Sequence, residues 1–196
     1  MVLHEAAVTE DKLPQLAIRP YPNRYVSKVT TKGGEEVTIR PIRPEDEPMM
    51  VRFHESLSER TVYQRYLQLL NLPQRTAHER LVRICFIDYA RQMALVVERT
   101  APDGTKQIIG VGRLQNLLGP GDAEFSIVIS DDHQKDGLGT ELLKRLIEIG
   151  RAEGVKVITA DILAENMAMQ KISEKAGFKL TREFGEPVVS ARLELV

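Results

Sequence analysis

The sequence holds a single cysteine, Cys85, so no disulfide can form within the chain. Set among apolar neighbours in "RICFID", it reads as a small core residue of a reducing compartment, not as a reactive thiol. Charge of one sign is lacking too. A formal net charge of −1 gives no electrostatic reason to expect nucleic acid or an anionic membrane as the main partner. No apolar run is long enough to cross a bilayer, and the opening "MVLHEAAVTE" has neither the basic start nor the apolar core of a secretory signal. A cytoplasmic protein is the expectation. The four histidines form no H-x-x-x-H pair and no grouping with the cysteine, so no metal site is expected. Internal repeats and low-complexity tracts are absent as well.

What is there suits one globular domain with a short appendage, since 196 residues suffice for a substantial core. Residues 1–35 stand apart: "AIRPYPNRYVSKVTTKGGEE" is rich in Pro, Gly and polar residues without helical period, and reads as an N-terminal extension. From residue 36 to 196 the pattern is regular. "EVTIRPIR" suggests a first strand. Pro44, Glu45 and Asp46 suit the start of a helix running to about Leu57, with further helices from Ser58 to about Leu70 and from about Thr76 to Ile87. "QMALVVER", "KQIIGVGRLQNL" and "AEFSIVIS" are successive strands, the first two joined by the turn "APDG". Leu138, Leu142, Leu143, Leu146 and Ile147 mark one face of a helix over Leu138–Ala152. "VKVITADIL" is another strand, and a short helix with Met169, Ile172 and Ala176 on one stripe closes at Gly177. "FKLTREF" and "PVVSARLELV" end the chain, the latter with Val189, Ala191, Leu193 and Leu195 alternating with polar residues. The fold class is α/β: a mixed central sheet of about six to seven strands flanked by about four to five helices.

Gly137 and Gly139 stand at the start of the helix Leu138–Ala152, where backbone N–H groups lack internal partners and the helix dipole adds about half a positive charge. That is an anion site in outline. A Walker loop is excluded because Thr140 and Glu141, not a lysine, follow Gly139. A dinucleotide loop is excluded because Leu142 stands where a third glycine belongs, and because the loop falls late in the chain.

The run Gln134-Lys135-Asp136-Gly137-Leu138-Gly139, after a strand and before an amphipathic helix, resembles the Q/R-x-x-G-x-G/A loop of the GNAT family of N-acetyltransferases. "AENMAMQKISEKAGF" is similar to a later segment of that family. "TIRPIRPEDEPMMVRFHESLSERTVYQRYL" resembles the acetyltransferase domain of Pat-type protein lysine acetyltransferases. The resemblance implies a GNAT fold over residues 36–196 and acetyl-CoA as cosubstrate. It implies that Gln134, Lys135, Asp136, Gly137, Leu138, Gly139 and Thr140 hold the pyrophosphate. Ile127, Val128 and Ile129 would run beside the pantetheine arm, with one amide, Val128 foremost, bonding the thioester carbonyl. Asn166 would contact the pantetheine, although Asn at that place also suits a helix N-cap. Lys135, Lys144 and Arg145 are cations near the phosphates or simply solvated ones.

Acetyl transfer needs a neutral amine, and a lysine of pKa near 10.4 gives one at pH 7 only at a cost of roughly 4–5 kcal/mol. A carboxylate that takes the proton recovers part of this. Glu124 is the expected general base, by its match to the Pat-type base; alternation puts it on one face with Ser126 and Val128, opposite Phe125, Ile127 and Ile129, and an apolar strand can raise a glutamate's pKa. Asp122 and Asp161 are second choices. Many relatives carry a tyrosine at the place of Ser173, which cannot readily act as their general acid; His133 is an alternative. The acceptor surface is expected near residues 60–90 and 115–122. The resemblance implies a protein lysine as acceptor, for instance on a metabolic acyl-CoA synthetase. A small amine, or a non-catalytic acetyl-CoA-sensing module, are the alternatives. "LAIRPYPNRYV" is similar to the tail of the acyl-CoA-synthetase-like region that precedes such domains, so residues 1–35 are expected to be its remnant, and a fused or associated N-terminal regulatory domain a partner.

Overall fold

Runs of alternating apolar residues become strands, and the one long helical stripe becomes the helix that covers them. The computed structural model describes residues 19–117 and 121–195. Residues 1–18 of the expected extension, 118–120 of the expected acceptor surface and Val196 lie outside the described residues. The strands are β1 (Ser27–Thr30), β2 (Glu36–Pro41), β3 (Gln92–Thr100), β4 (Lys106–Asn116), β5 (Asp122–Ile129), β6 (Val157–Leu163), β7 (Lys179–Thr181) and β8 (Val188–Glu194). The helices are α1 (Glu47–Glu55), α2 (Glu59–Tyr66), α3 (Leu72–Thr76), α4 (His78–Cys85), α5 (Leu138–Ala152) and α6 (Met167–Lys175). The strands form one sheet in the order β1-β2-β3-β4-β5-β6-β8-β7. Neighbours are antiparallel except β5 and β6, which run parallel.

The α/β class and the mixed sheet are as expected, but the counts are eight strands and six helices among the described residues. The extra strand, β1, lies inside the supposed extension. It pairs with β2 from Ser27 opposite Ile39 to Thr30 opposite Glu36. Its four residues alternate half-buried and exposed, and only Val29 brings an apolar side chain to the core, too short a pattern to be read as a strand. The residues before it are also tied down. Arg19, Arg24 and Tyr25 all reach Glu153 at the end of α5, and the Tyr21 hydroxyl donates to the Pro41 carbonyl at 2.9 Å. The extra helix, α3, has only five residues, started by a reciprocal cap between Asn71 and Gln74. It is separate because α2 stops early, at Leu67, whose left-handed φ of 56° closes the helix.

The two faces of the sheet have separate cores. On one, α5 and α6 cover Ile39, Leu95, Val97, Phe125 and Ile158. Gly112 lets α5 settle there, since a Cβ would stand 3.3 Å from Leu146. On the other face, α1, α2 and α4 pack Phe53, Val62 and Leu81 over Ala94, Val96, Val111 and Val128. Cys85 belongs to this second core, where burial pushes its thiol up to about 12, as suits an unreactive packing residue.

Candidate functional site

The parallel pairing of β5 with β6 is short. It runs from Asp122 opposite Val157 to Glu124 opposite Thr159. Beyond that, β5 continues to Ile129 and β6 to Leu163 without pairing to each other, so the middle of the sheet is open at this end. Backbone parity decides which groups line the opening. Leu117 N–H donates to Asp122 O and Ser130 N–H to Ile109 O, at 2.8 and 2.9 Å. Both ends of the ladder thus turn the even-numbered residues of β5 toward β4. The Val128 amide is therefore spent on Val111, its partner in the register. This corrects the expectation for Val128. The polar backbone groups that face the opening belong to Ile127 and Ile129, and the Ile129 carbonyl already accepts from the Gln134 side chain at 3.2 Å.

At the mouth of the opening sits the loop into α5. Lys135 and Gly137 both take left-handed backbone, at φ 72° and 86°, folding the chain into the kind of turn that gathers N–H groups around an anion. The first bond inside α5 runs from Glu141 N–H to Gly137 O, and no side chain caps this helix. The N–H groups of Leu138, Gly139 and Thr140 therefore have no partner within the helix. Gly139 has a second reason to be glycine, because a Cβ would stand 3.4 Å from Ile172 of α6. Lys32, from the hairpin after β1, lies over Gly137: a Cβ there would be 3.4 Å from the Lys32 chain, and Lys32 N–H donates to Asp136 O. Sequence reasoning missed this cation because it assigned residues 1–35 to an extension. Of the cations it did name, Arg145 is held by Glu141 and Ser27, and Lys144 is exposed near Glu148.

Asp131 locks this loop to α2. Its carboxylate accepts from Ser58 N–H, Ser58 Oγ and Thr61 Oγ1, at 2.9, 2.7 and 2.8 Å. Burial alone would raise its pKa, but these bonds outweigh it and hold the carboxyl below the ordinary range. Gln134 Nε2 joins the same cluster through Thr61. Three other expected residues are also accounted for. Arg99 donates to His133 Nε2, which assigns the neutral ring's proton to Nδ1 facing Ser130 Oγ; this histidine is engaged on both sides. Asn166 caps α6, accepting from Met169 N–H at 3.1 Å. Ser173 is fully enclosed and its hydroxyl has no partner among the described residues.

Glu124 lies on the face opposite α5, and its side chain is exposed, not sunk among apolar groups. Asp122 and Asp161 share this face by strand parity, and Ser190 Oγ donates to Asp161 at 3.1 Å. Beside Glu124, opposite Gln115 in the ladder, is a cavity of about 440 Å³ walled by α1, α2, α4 and strands β3 to β5. Arg65, Arg80, Arg83 and Arg113 line it, as does His54. Burial first, then repulsion from neighbouring guanidinium groups, loosens the protons of Arg113. His54 is 1% exposed, and burial followed by the charges of Arg75, Arg80 and Arg65 brings its pKa down to about 4. The unfolded imidazole, at about 6.5, binds a proton before the folded one does, so stability falls as pH drops from about 6.5 to about 4, by about 3 kcal/mol in all. His54→Phe should remove that slope, as read from urea unfolding at pH 7 and pH 4.5.

Residues 36–179 match the family model described as Acetyltransferase (GNAT) domain. The chain is 30% identical over 145 residues to the acetyltransferase PA5475 of Pseudomonas aeruginosa, covering 74% of this chain and 76% of that protein. It is 28% identical over 158 residues to the acetyltransferase Pat of Mycolicibacterium smegmatis, covering 79% of this chain but 45% of that longer protein. The crystal structure of the GNAT domain of S. lividans PAT superposes with a TM-score of 0.78 at 23% identity, over 90% of this chain and all of that one.

Proposed function

The chain belongs to the GNAT acetyltransferase family, and from that premise we propose that it transfers the acetyl group of acetyl-CoA to a lysine side chain of a protein, with Glu124 as general base. The observation that carries the reading is the opening between β5 and β6, with unpaired Ile127 backbone along it and the bare N-terminus of α5 at its mouth. A pantetheine arm can lie there as an added strand, and its diphosphate can take the N–H groups of Leu138, Gly139 and Thr140, with Lys32 alongside. The substrate amine attacks the thioester carbonyl and a C–N bond forms. The oxyanion takes a hydrogen bond from the Ile127 amide, and Glu124 receives the amine's proton. The C–S bond then breaks and its electron pair leaves on the coenzyme sulfur. A thiolate whose conjugate acid has a pKa of about 8.5 needs no dedicated acid, so water protonates it, and the enclosed Ser173 takes no part.

Likeness to Pat supports the protein acceptor and, because this chain spans less than half of that relative, an associated regulatory region. An acyl-CoA synthetase is the acceptor we would test first. Incubation with acetyl-CoA and a cell extract should release free thiol and add acetyl mass to lysines of few proteins. Thiol release only with free small amines would overturn the protein acceptor. For the coenzyme loop, Gly137→Val places a β-branched residue at φ 86°, which we expect to weaken coenzyme A binding about tenfold or more, read by calorimetric titration.

A further inference from the structure

The cavity beside Glu124 is an unusual place for cations. Among the described residues the two buried arginines both have their donors taken up: Arg40 is held by Asp46 and Glu98, and Arg75 donates to the backbone carbonyls of Leu70 and His54. By contrast, none of Arg65, Arg80, Arg83 and Arg113 forms an ion pair among the described residues. Arg113 donates to Gln92 at 2.8 Å and Arg83 to a backbone carbonyl. Arg65 and Arg80 stack on the Tyr66 ring, at 4.9 and 5.2 Å from its centroid. Among the described residues Arg80 Nε has no hydrogen-bond partner, and neither does either ring nitrogen of His54, which is almost fully buried. Like charges brought together and left with unused donors form a site for an anion that is not part of the protein.

We propose that this cavity seats an anionic group, a carboxylate or phosphate, carried by the acetyl acceptor. The placement of Glu124 ties it to the acceptor, which rests on the transferase reading above. Glu124 faces Gln115 across the ladder, Gln115 lines the cavity, and the Glu124 charge acts on Arg65. An amine held near Glu124 thus has positive charge close by, on the sheet face opposite α5. About 440 Å³ is ample for a carboxylate-bearing amine or for an acidic side chain next to a lysine. Arginine forks grip either group bidentately.

Two measurements test this. Succinate and inorganic phosphate are titrated calorimetrically into the Gly137→Val protein, in which the coenzyme loop is impaired. Saturable binding is expected, weakened about tenfold or more by Arg80→Gln or Arg113→Gln and partly restored by Arg80→Lys. This readout needs no acetyl transfer, so it stands or falls apart from the enzymatic reading. In the second, thiol release is compared for an amino acid and its carboxamide, and for lysine peptides with Asp or Asn beside the lysine. KM should favour the anionic member of at least one pair, and Arg80→Gln should erase that preference with little change in kcat. The responding pair tells whether the anion comes from a free metabolite or a protein. No arginine-dependent binding of either probe, or equal KM within both pairs, would overturn the proposal.

Discussion

Glu124→Gln is expected to lower kcat about a hundred- to ten-thousandfold, the usual worth of a general base, while coenzyme A affinity stays within about twofold. The substitution is nearly isosteric, and the Glu124 side chain makes no hydrogen bond or ion pair among the described residues, so folding should not change. The exposed position lets the proton pass on to solvent once taken. Asp122 and Asp161 stand on the same face of the sheet, and either could supply the remaining activity through water. The kcat profile between pH 6 and pH 10 separates the cases. With the base gone, rate should follow the fraction of amine already neutral, rising with pH toward the acceptor's own pKa. An unchanged kcat would move the base to another carboxylate, and Asp161→Asn is then the variant to measure.

The residues that could be read from the sequence are those whose role depends on neighbours in the chain. The period of α5 and the glycines at its start lie within one short run, and the helix begins and ends where the pattern says. Alternation in β5 correctly sends Phe125 and Ile129 to one core and Val128 to the other. It cannot say which neighbour each amide faces, because that depends on the pairing register with β4, and so Val128 was expected at the opening although its amide pairs with Val111 and Ile127 faces that way. The exposure of Glu124 was out of reach for a similar reason: the helices on its face cover Val128 but leave the start of β5 open. The arginine cavity was the least visible. Its four cations come from α2, α4 and β4, and in a sequence with nearly balanced charge nothing marks them as lacking partners. Gly110 and Gly112 inside β4 were an available signal of close packing, and the structure puts α5 against the second of them.

Asp46→Ala should cost about 3–5 kcal/mol, the penalty for leaving a buried charge without its partner. That is a large share of a domain's usual stability of about 5–15 kcal/mol. Arg40 is 5% exposed and Asp46 2%. Two parallel bonds of 2.7 Å join them, and Arg40 Nε reaches Glu98 at 2.9 Å. Burial works against the Arg40 charge, yet the bonds to Asp46 and Glu98 more than offset it and raise its pKa. Asp46 also accepts from Arg43 N–H at 2.8 Å, fixing the turn from which α1 starts. Glu98 cannot replace it, because its other oxygen is taken by Lys106 at 2.8 Å. Arg40→Met combined with Asp46→Leu should cost less than the sum of the two single changes, since neither charge is then stranded. Urea unfolding of the four proteins gives this coupling. Acid should reveal the same network: burial opposes the Glu98 charge, but bonds from Lys106 and Arg40 hold its pKa below the ordinary 4.5. Its stabilisation is therefore complete above that pH and lost as pH falls through the lower, folded value. Because α1 carries Phe53 and His54 into the wall of the arginine cavity, a loosened Asp46 should weaken anion binding there even where the protein stays folded. Succinate titration of Asp46→Asn, which keeps the shape of the cap but not the charge, would show that link directly.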